Sequence, residues 1–150
     1  MDNSWVEKGK IPFTMNKEQY QELWDSHPEE RGDIFIFNKH HKVPRWQQAY
    51  GINYRFSGNT AIALPITELL QKYIDWANMN ENKKGRIGEF NGILVNWYQD
   101  GEDYIGWHSD DEPQIVQNSP IYTISLGDTR TFKIREKKDK KKVTNYELED

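Results

Sequence analysis

Cysteine is absent from the 150 residues, which excludes a disulfide framework and any thiolate metal site. No run comes near the roughly eighteen consecutive apolar residues that a membrane-spanning helix needs. The opening residues, Met1-Asp2-Asn3-Ser4-Trp5, lack the basic and apolar regions of a signal peptide. The expectation is therefore a soluble intracellular protein, cytoplasmic or nuclear and not secreted, with no membrane partner. Aliphatic residues are scarce too: Leu, Ile, Val and Phe make up only about a fifth of the chain, near the level at which disorder sets in. Against disorder stand 6 Trp, 8 Tyr and 6 Phe with a net charge of only -4. A chain of this kind buries an aromatic core. Its length fits one domain over 1–150.

No repeat or Pro/Gly-rich linker divides the chain. Residues 1–13 are mixed in character and read as an extended N-terminal segment. A short helix is expected from Asn16 to Ser26, because Asn16 and Gln19 have capping-box spacing and Tyr20, Leu23 and Trp24 share a face. Ile34 to Phe37 reads as a strand, ended by the polar run Asn38 to Lys42. The strongest helix starts at Pro65, a residue favoured in a first turn, with Ile66, Leu69, Leu70, Tyr73, Ile74 and Ala77 at helical spacing. Asn78 to Gly85 reads as the polar loop that ends it. Beyond residue 90 come short β-type runs: Gly92–Tyr98, Tyr104–Ser109, Ile121–Leu126, Thr131–Arg135 and Val143–Leu148. Helices first and strands after point to an α+β fold, with helices on one face of a largely antiparallel sheet system.

Charge is unevenly spread. Seven carboxylates and no Lys or Arg lie between Asp100 and Asp128, whereas eight basic residues and two acids lie between Arg130 and Lys142. Lys39, Lys42, Arg45 and Arg55 alternate with His40, His41, Trp46, Tyr50 and Tyr54. Cations interleaved with rings suit nucleic acid, since cations meet phosphates and rings stack on bases. The Lys137–Lys142 run fits a solvated turn equally well.

The most informative stretch is Ile105-Gly106-Trp107-His108-Ser109-Asp110-Asp111-Glu112. In extended backbone, side chains at i and i+2 point the same way. His108 and Asp110 can then grip one metal ion, supplying two members of the two-His, one-carboxylate set of non-haem iron oxygenases. Gly106 leaves room beside them. A surface hairpin with a His–Asp hydrogen bond accounts for the same pattern. Upstream, Asn96 and Tyr98 have the same spacing, and an amide with a hydroxyl can bind a small carboxylate.

The whole run from Phe90 to Glu112, with the pattern N-x-Y-x-D-G-x-D-x-I-G-x-H-x-D-D-E, closely resembles the AlkB-like family of iron(II)- and 2-oxoglutarate-dependent dioxygenases. Val43 to Gly51 and Tyr54 to Gly58 resemble the family's substrate-side segments, and Ser119 to Gly127 and Arg130 to Phe132 its later core strands. The likeness runs from about residue 35 onward and is nearest the nucleic-acid-demethylating branch. It implies a double-stranded β-helix, a jelly-roll core supported by N-terminal helices. It also implies His108 and Asp110 as catalytic iron(II) ligands, with Asn96 and Tyr98 on 2-oxoglutarate. Pro44, Arg45, Gln47, Tyr54, Phe56, Ser57, Asp111, Glu112 and Arg130 would form the substrate side, Phe56 stacking on a flipped base. The implied activity is oxidative demethylation of N-methylated bases in DNA or RNA by a monomer. A methylated base must be extruded from a duplex, or already single-stranded, to reach such a site.

The family pattern continues with a second iron-binding His and an Arg that holds 2-oxoglutarate. After Asp110 the sequence has no His, and its last Arg is Arg135. The expectation is thus a C-terminally truncated domain, with His27, His40 or His41 as poor substitutes for the third ligand. The alternative function is a catalytically inactive remnant that at most binds nucleic acid.

Overall fold

The computed structural model describes residues 4–36, 38–56, 59–86, 89–110, 115–116 and 118–150, with the side chains of 34–36, 40, 56 and 59 left aside. It contains two compact units, Met1–Gln117 and Asn118–Asp150.

In the first unit, helix α1 spans Lys17–Asp25. The expected capping box closes its start: the Asn16 side chain accepts from the backbone N–H of Gln19 at 2.8 Å, and Gln19 accepts from that of Asn16 at 3.0 Å. These reciprocal bonds satisfy donors that a helix start otherwise leaves open. Strands β1 (Asp33–Ile36) and β2 (Lys39–Lys42) form an antiparallel hairpin. The polar run from Asn38 therefore does not simply end a strand. Asn38, at φ 60, turns the chain and Lys39–Lys42 pairs back along β1. Asn tolerates that left-handed conformation better than most residues.

Strand β3 (Trp46–Tyr50) leads to a smaller hairpin of β4 (Tyr54–Phe56) and β5 (Asn59–Ala61). Helix α2 then spans Glu68–Lys83. It begins later than Pro65 suggests, because the Thr67 hydroxyl accepts from the Leu70 N–H at 3.2 Å and caps it there. It also continues through the polar residues after Ala77, since its far end is tied down by tertiary contacts. Glu81 is fully buried, and the Arg86 guanidinium donates to both its carboxylate oxygens at 2.6 and 3.1 Å. Leu70, Tyr73, Ile74 and Ala77 form the buried face, as the periodicity implied.

Strand β6 (Ile93–Trp97) pairs antiparallel with β3, Trp46 opposite Trp97, Gln47 opposite Asn96 and Tyr50 opposite Ile93. Ala49, Tyr50 and Trp97 join Leu23, Val43 and the α2 face as the buried apolar core. Gly51 and Gly92 allow the ladder's end to close. A Cβ on Gly51, which sits at φ 88, would meet the Asn91 carbonyl at 2.4 Å, and one on Gly92 would meet Ile52 at 2.4 Å.

The second unit is built on the antiparallel hairpin of β7 (Arg130–Arg135) and β8 (Val143–Leu148), with the Lys137–Lys142 run at its turn. Residues 121–126, expected as a strand, form none, and neither do 104–109. Both have β-type composition but join no strand ladder among the described residues, and pairing rather than propensity makes a strand.

The molecule thus mixes helices with antiparallel strand pairs, in agreement with the α+β reading. Its described strands form four two-stranded sheets, and no closed barrel is found among them. No helix of the described residues is long and apolar enough to cross a membrane.

Candidate metal and co-substrate site

His108 and Asp110 meet as the i,i+2 argument required, although the segment is irregular rather than a strand. The His108 Nε2 lies 3.2 Å from Asp110 Oδ1, and its Nδ1 lies 2.8 Å from the Gly106 carbonyl oxygen. A carbonyl only accepts, so Nδ1 carries a proton and Nε2 faces the carboxylate. Two acceptors around one imidazole are satisfied either by an imidazolium or by a cation taking the place of the Nε2 proton. The carboxyl of Asp110 is held below the ordinary carboxylate range by the hydrogen bond from His108; partial burial opposes this and the imidazole charge adds to it. Both side chains are partly open to solvent. Gly106 has nothing within 4 Å of where a Cβ would stand. One imidazole nitrogen and one carboxylate oxygen side by side, reachable from solvent, fit two positions of a divalent iron. Among the described residues no group of three His, Cys, Asp or Glu side chains assembles.

Asn96 lies on β6, in the ladder with Gln47, and Tyr98 follows two residues on. Arg45 joins them. Its Nε donates to Asn96 Oδ1 at 2.9 Å, one terminal nitrogen to Gln47 Oε1 at 3.0 Å, and the other to the Tyr104 carbonyl at 3.4 Å. Arg45 is buried, with 8% of its surface exposed. Burial draws its pKa down, while Tyr98 is near enough to act on it in the opposite direction. Pro44 takes part through its carbonyl, which accepts from the Tyr104 N–H at 2.9 Å. The chain leading to His108 is thus fastened to the strand that carries Asn96.

A second set of contacts holds the turn between Tyr98 and His108. Asp103 is buried, its Oδ1 accepting from Arg31 at 2.7 Å and its Oδ2 from the Gln99 backbone N–H at 2.8 Å. Arg31 also donates to Gln99 Oε1 at 2.9 Å and lies 4.4 Å from the Trp46 ring. Its pKa is raised, first by the bond to Asp103. His27 stacks on Trp46 at 3.9 Å, and Trp24 meets Trp46 edge-on at 6.2 Å. The buried Trp97 Nε1–H donates to the Leu23 carbonyl at 3.0 Å. His27 is thus engaged in the aromatic cluster. Arg31 did not stand out in the sequence as part of the site, and Trp46 stood out only as one ring of the basic, aromatic stretch. The signal for Asp103, the partner of Arg31, was its place in the D-G-x-D motif.

The sequence-derived residues therefore fall into separate groups. Pro44, Arg45, Gln47, Asn96 and Tyr98 come together, and His108 with Asp110 forms a pair. Tyr54 is half-buried on β4 opposite Ala61, and the backbone of Phe56 stands opposite Asn59 on that hairpin. Arg130 opens β7 in the second unit, opposite Leu148. Ser57, Asp111 and Glu112 lie outside the described residues.

A model of the 2OG-Fe(II) oxygenase superfamily matches residues 12–150. The chain belongs to that superfamily. Its relatives are AlkB-like. The chain is 37% identical over 119 residues to the DNA oxidative demethylase ALKBH2 of Bos taurus, covering 77% of this chain and 41% of that protein. With the Homo sapiens protein of the same name it shares 38% over 108 residues, 69% of this chain and 39% of the relative. It is 42% identical over 67 residues to the alpha-ketoglutarate-dependent dioxygenase alkB homolog 3 of Mus musculus, 41% of this chain and 23% of that one. The chain spans about two fifths of the length of its mammalian ALKBH2 relatives. Membership of the superfamily implies a jelly-roll fold and the use of iron(II) and 2-oxoglutarate.

Proposed function

We propose that this protein performs oxidative demethylation of N-methylated bases in DNA or RNA, as a monomer whose residues 1–150 belong to one double-stranded β-helix domain. The carrying observation is the His108–Asp110 pair in a chain of the 2OG-Fe(II) oxygenase superfamily. His108 and Asp110 hold iron(II), His108 through Nε2, with Nδ1 kept in place by the Gly106 carbonyl. Asn96 and Tyr98 bind 2-oxoglutarate by donating hydrogen bonds to it. When bound, iron(II) and 2-oxoglutarate supply with dioxygen the oxidising power that hydroxylates the N-methyl carbon, and the product then sheds formaldehyde. The protein's own part is position. Pro44, Gln47, Tyr54, Phe56, Ser57, Asp111, Glu112 and Arg130 are the residues we assign to the methylated nucleic acid, on the family resemblance. Nucleic acid as substrate sets the work in the cytoplasm or nucleus.

The test is formaldehyde release from an N-methylated oligonucleotide by the full-length protein, with iron(II) and 2-oxoglutarate supplied. Release that depends on both and is abolished by His108→Ala and by Asp110→Ala is the expected result. Release unchanged in these variants overturns the assignment. Salt-sensitive oligonucleotide binding without release favours the inactive, nucleic-acid-binding alternative.

A further inference from the structure

A buried guanidinium ordinarily faces a carboxylate, because an isolated charge taken out of water is expensive. Arg45 does not follow this rule. It is nine-tenths buried, yet all its observed acceptors are neutral: the Asn96 amide, the Gln47 amide and the Tyr104 carbonyl. Among the described residues no Asp or Glu comes within 4.0 Å of it. Arg31 makes the contrast within the same unit, since it is paired with Asp103.

The bond to Asn96 has a second consequence. Guanidinium nitrogens only donate, so the group meeting Arg45 Nε must be the amide oxygen. Asn96 is thereby fixed with Oδ1 toward Arg45 and Nδ2 turned to its other side. No acceptor for Nδ2 is found among the described residues. The outward end of Asn96 is a pure donor, polarised from behind by a cation, with Tyr98 close by.

We propose that Arg45 is the positioning residue of the co-substrate end: it locks the Asn96 amide with Nδ2 turned away from the guanidinium, and it supplies a buried positive charge, unpaired with any described carboxylate, that selects a carboxylate there. This rests on the reading of Asn96 and Tyr98 as the 2-oxoglutarate contacts. Arg45 acts through Asn96 rather than on the nucleic acid. It also ties that end to the chain before His108, since the same guanidinium holds the Tyr104 carbonyl.

The experiment is a titration of the full chain, loaded with diamagnetic zinc(II), with 2-oxoglutarate. The Asn96 side-chain amide is followed by ¹⁵N–¹H NMR, and zinc affinity is measured separately. In the unsubstituted protein the Asn96 amide protons are expected to shift as 2-oxoglutarate binds. Arg45→Met should weaken 2-oxoglutarate binding on the order of tenfold or more, the worth of a charge-assisted hydrogen bond, with zinc affinity unchanged. If Arg45→Met does not unfold cooperatively, Arg45→Lys carries the test, because it keeps the charge but cannot present three donors at once in the same fixed fork. Binding of equal strength in the folded Arg45 variant overturns the proposal and leaves the co-substrate reading standing. An Asn96 amide unmoved in the unsubstituted protein, with 2-oxoglutarate bound elsewhere or not at all, overturns both.

Discussion

Arg31 donates to Asp103 at 2.7 Å across 72 residues of sequence, fastening the segment before the first hairpin to the turn that leads into the candidate metal ligands. Both side chains are largely withdrawn from solvent, and Asp103 uses its second oxygen on the Gln99 backbone. Removing either partner leaves the other charge poorly compensated. Asp103→Ala and Arg31→Met should each lower unfolding free energy by about 2 kcal/mol, read by urea denaturation. Amide exchange should accelerate first between Tyr104 and Asp110. A loss below a few tenths of a kcal/mol would show that the turn holds itself.

Two glycines of the same unit should respond in opposite ways. Gly51→Ala forces a Cβ to 2.4 Å from the Asn91 carbonyl at a left-handed φ. A loss of about 2–4 kcal/mol is expected from strain and displacement together. Gly106→Ala meets nothing within 4 Å and should leave stability within about 0.5 kcal/mol. If the space beside His108 is used by a ligand, Gly106→Ala should nevertheless weaken binding of metal with 2-oxoglutarate. Thermal melts beside zinc and 2-oxoglutarate titrations separate the two effects.

The pairing of buried Glu81 with Arg86 gives a third expectation. Arg86 is partly exposed and also lies 5.2 Å from the Trp5 ring, while Lys84 bonds Glu7 at 2.8 Å. Arg86→Ala should strand the Glu81 carboxylate and destabilise by about 2–3 kcal/mol, solvent screening at the exposed Arg end keeping the figure below that of a fully buried pair. Glu81→Gln combined with Arg86→Ala should recover part of the loss. Independent, additive effects in the double variant would refute the coupling.

The lysines at the β7–β8 turn offer a fourth. Lys140→Glu combined with Lys141→Glu should weaken oligonucleotide binding and flatten its dependence on salt, by about 0.9 in logarithmic slope for each phosphate no longer neutralised. An unchanged slope would mark the run as a solvated turn with no share in binding.

The sequence made some of this legible and hid the rest for identifiable reasons. The α1 cap, β6 and β8 could be read directly, because capping and alternation are local. The His108–Asp110 contact followed from i,i+2 spacing even though no strand formed, since two side chains that close in sequence can meet without a ladder. Strands β2 to β5 were hard to see. Lys39–Lys42 is wholly polar, and β3 to β5 read as a basic, aromatic stretch, so only their long-range or hairpin pairing reveals them. The extent of α2 was missed at both ends for a related reason. Its start is fixed by the Thr67 hydroxyl and its end by the Glu81–Arg86 contact, neither of which has a hydrophobic period. Arg45 was legible as a residue near the site. Its burial, and the neutral company it keeps, needed three segments brought together in space.

The β3–β6 ladder gives the site its inheritance. Alternation sends Trp46 and Trp97 to one face, where Trp46 meets His27 and Trp97 bonds to Leu23, and Gln47 and Asn96 to the other, with Arg45. A two-stranded wall therefore has an oily side and a chemical side, and which is which depends on a single count of residues. Deleting one residue from within β3 or β6 would send that strand's residues beyond the deletion to the opposite faces, setting core side chains where the amides stand.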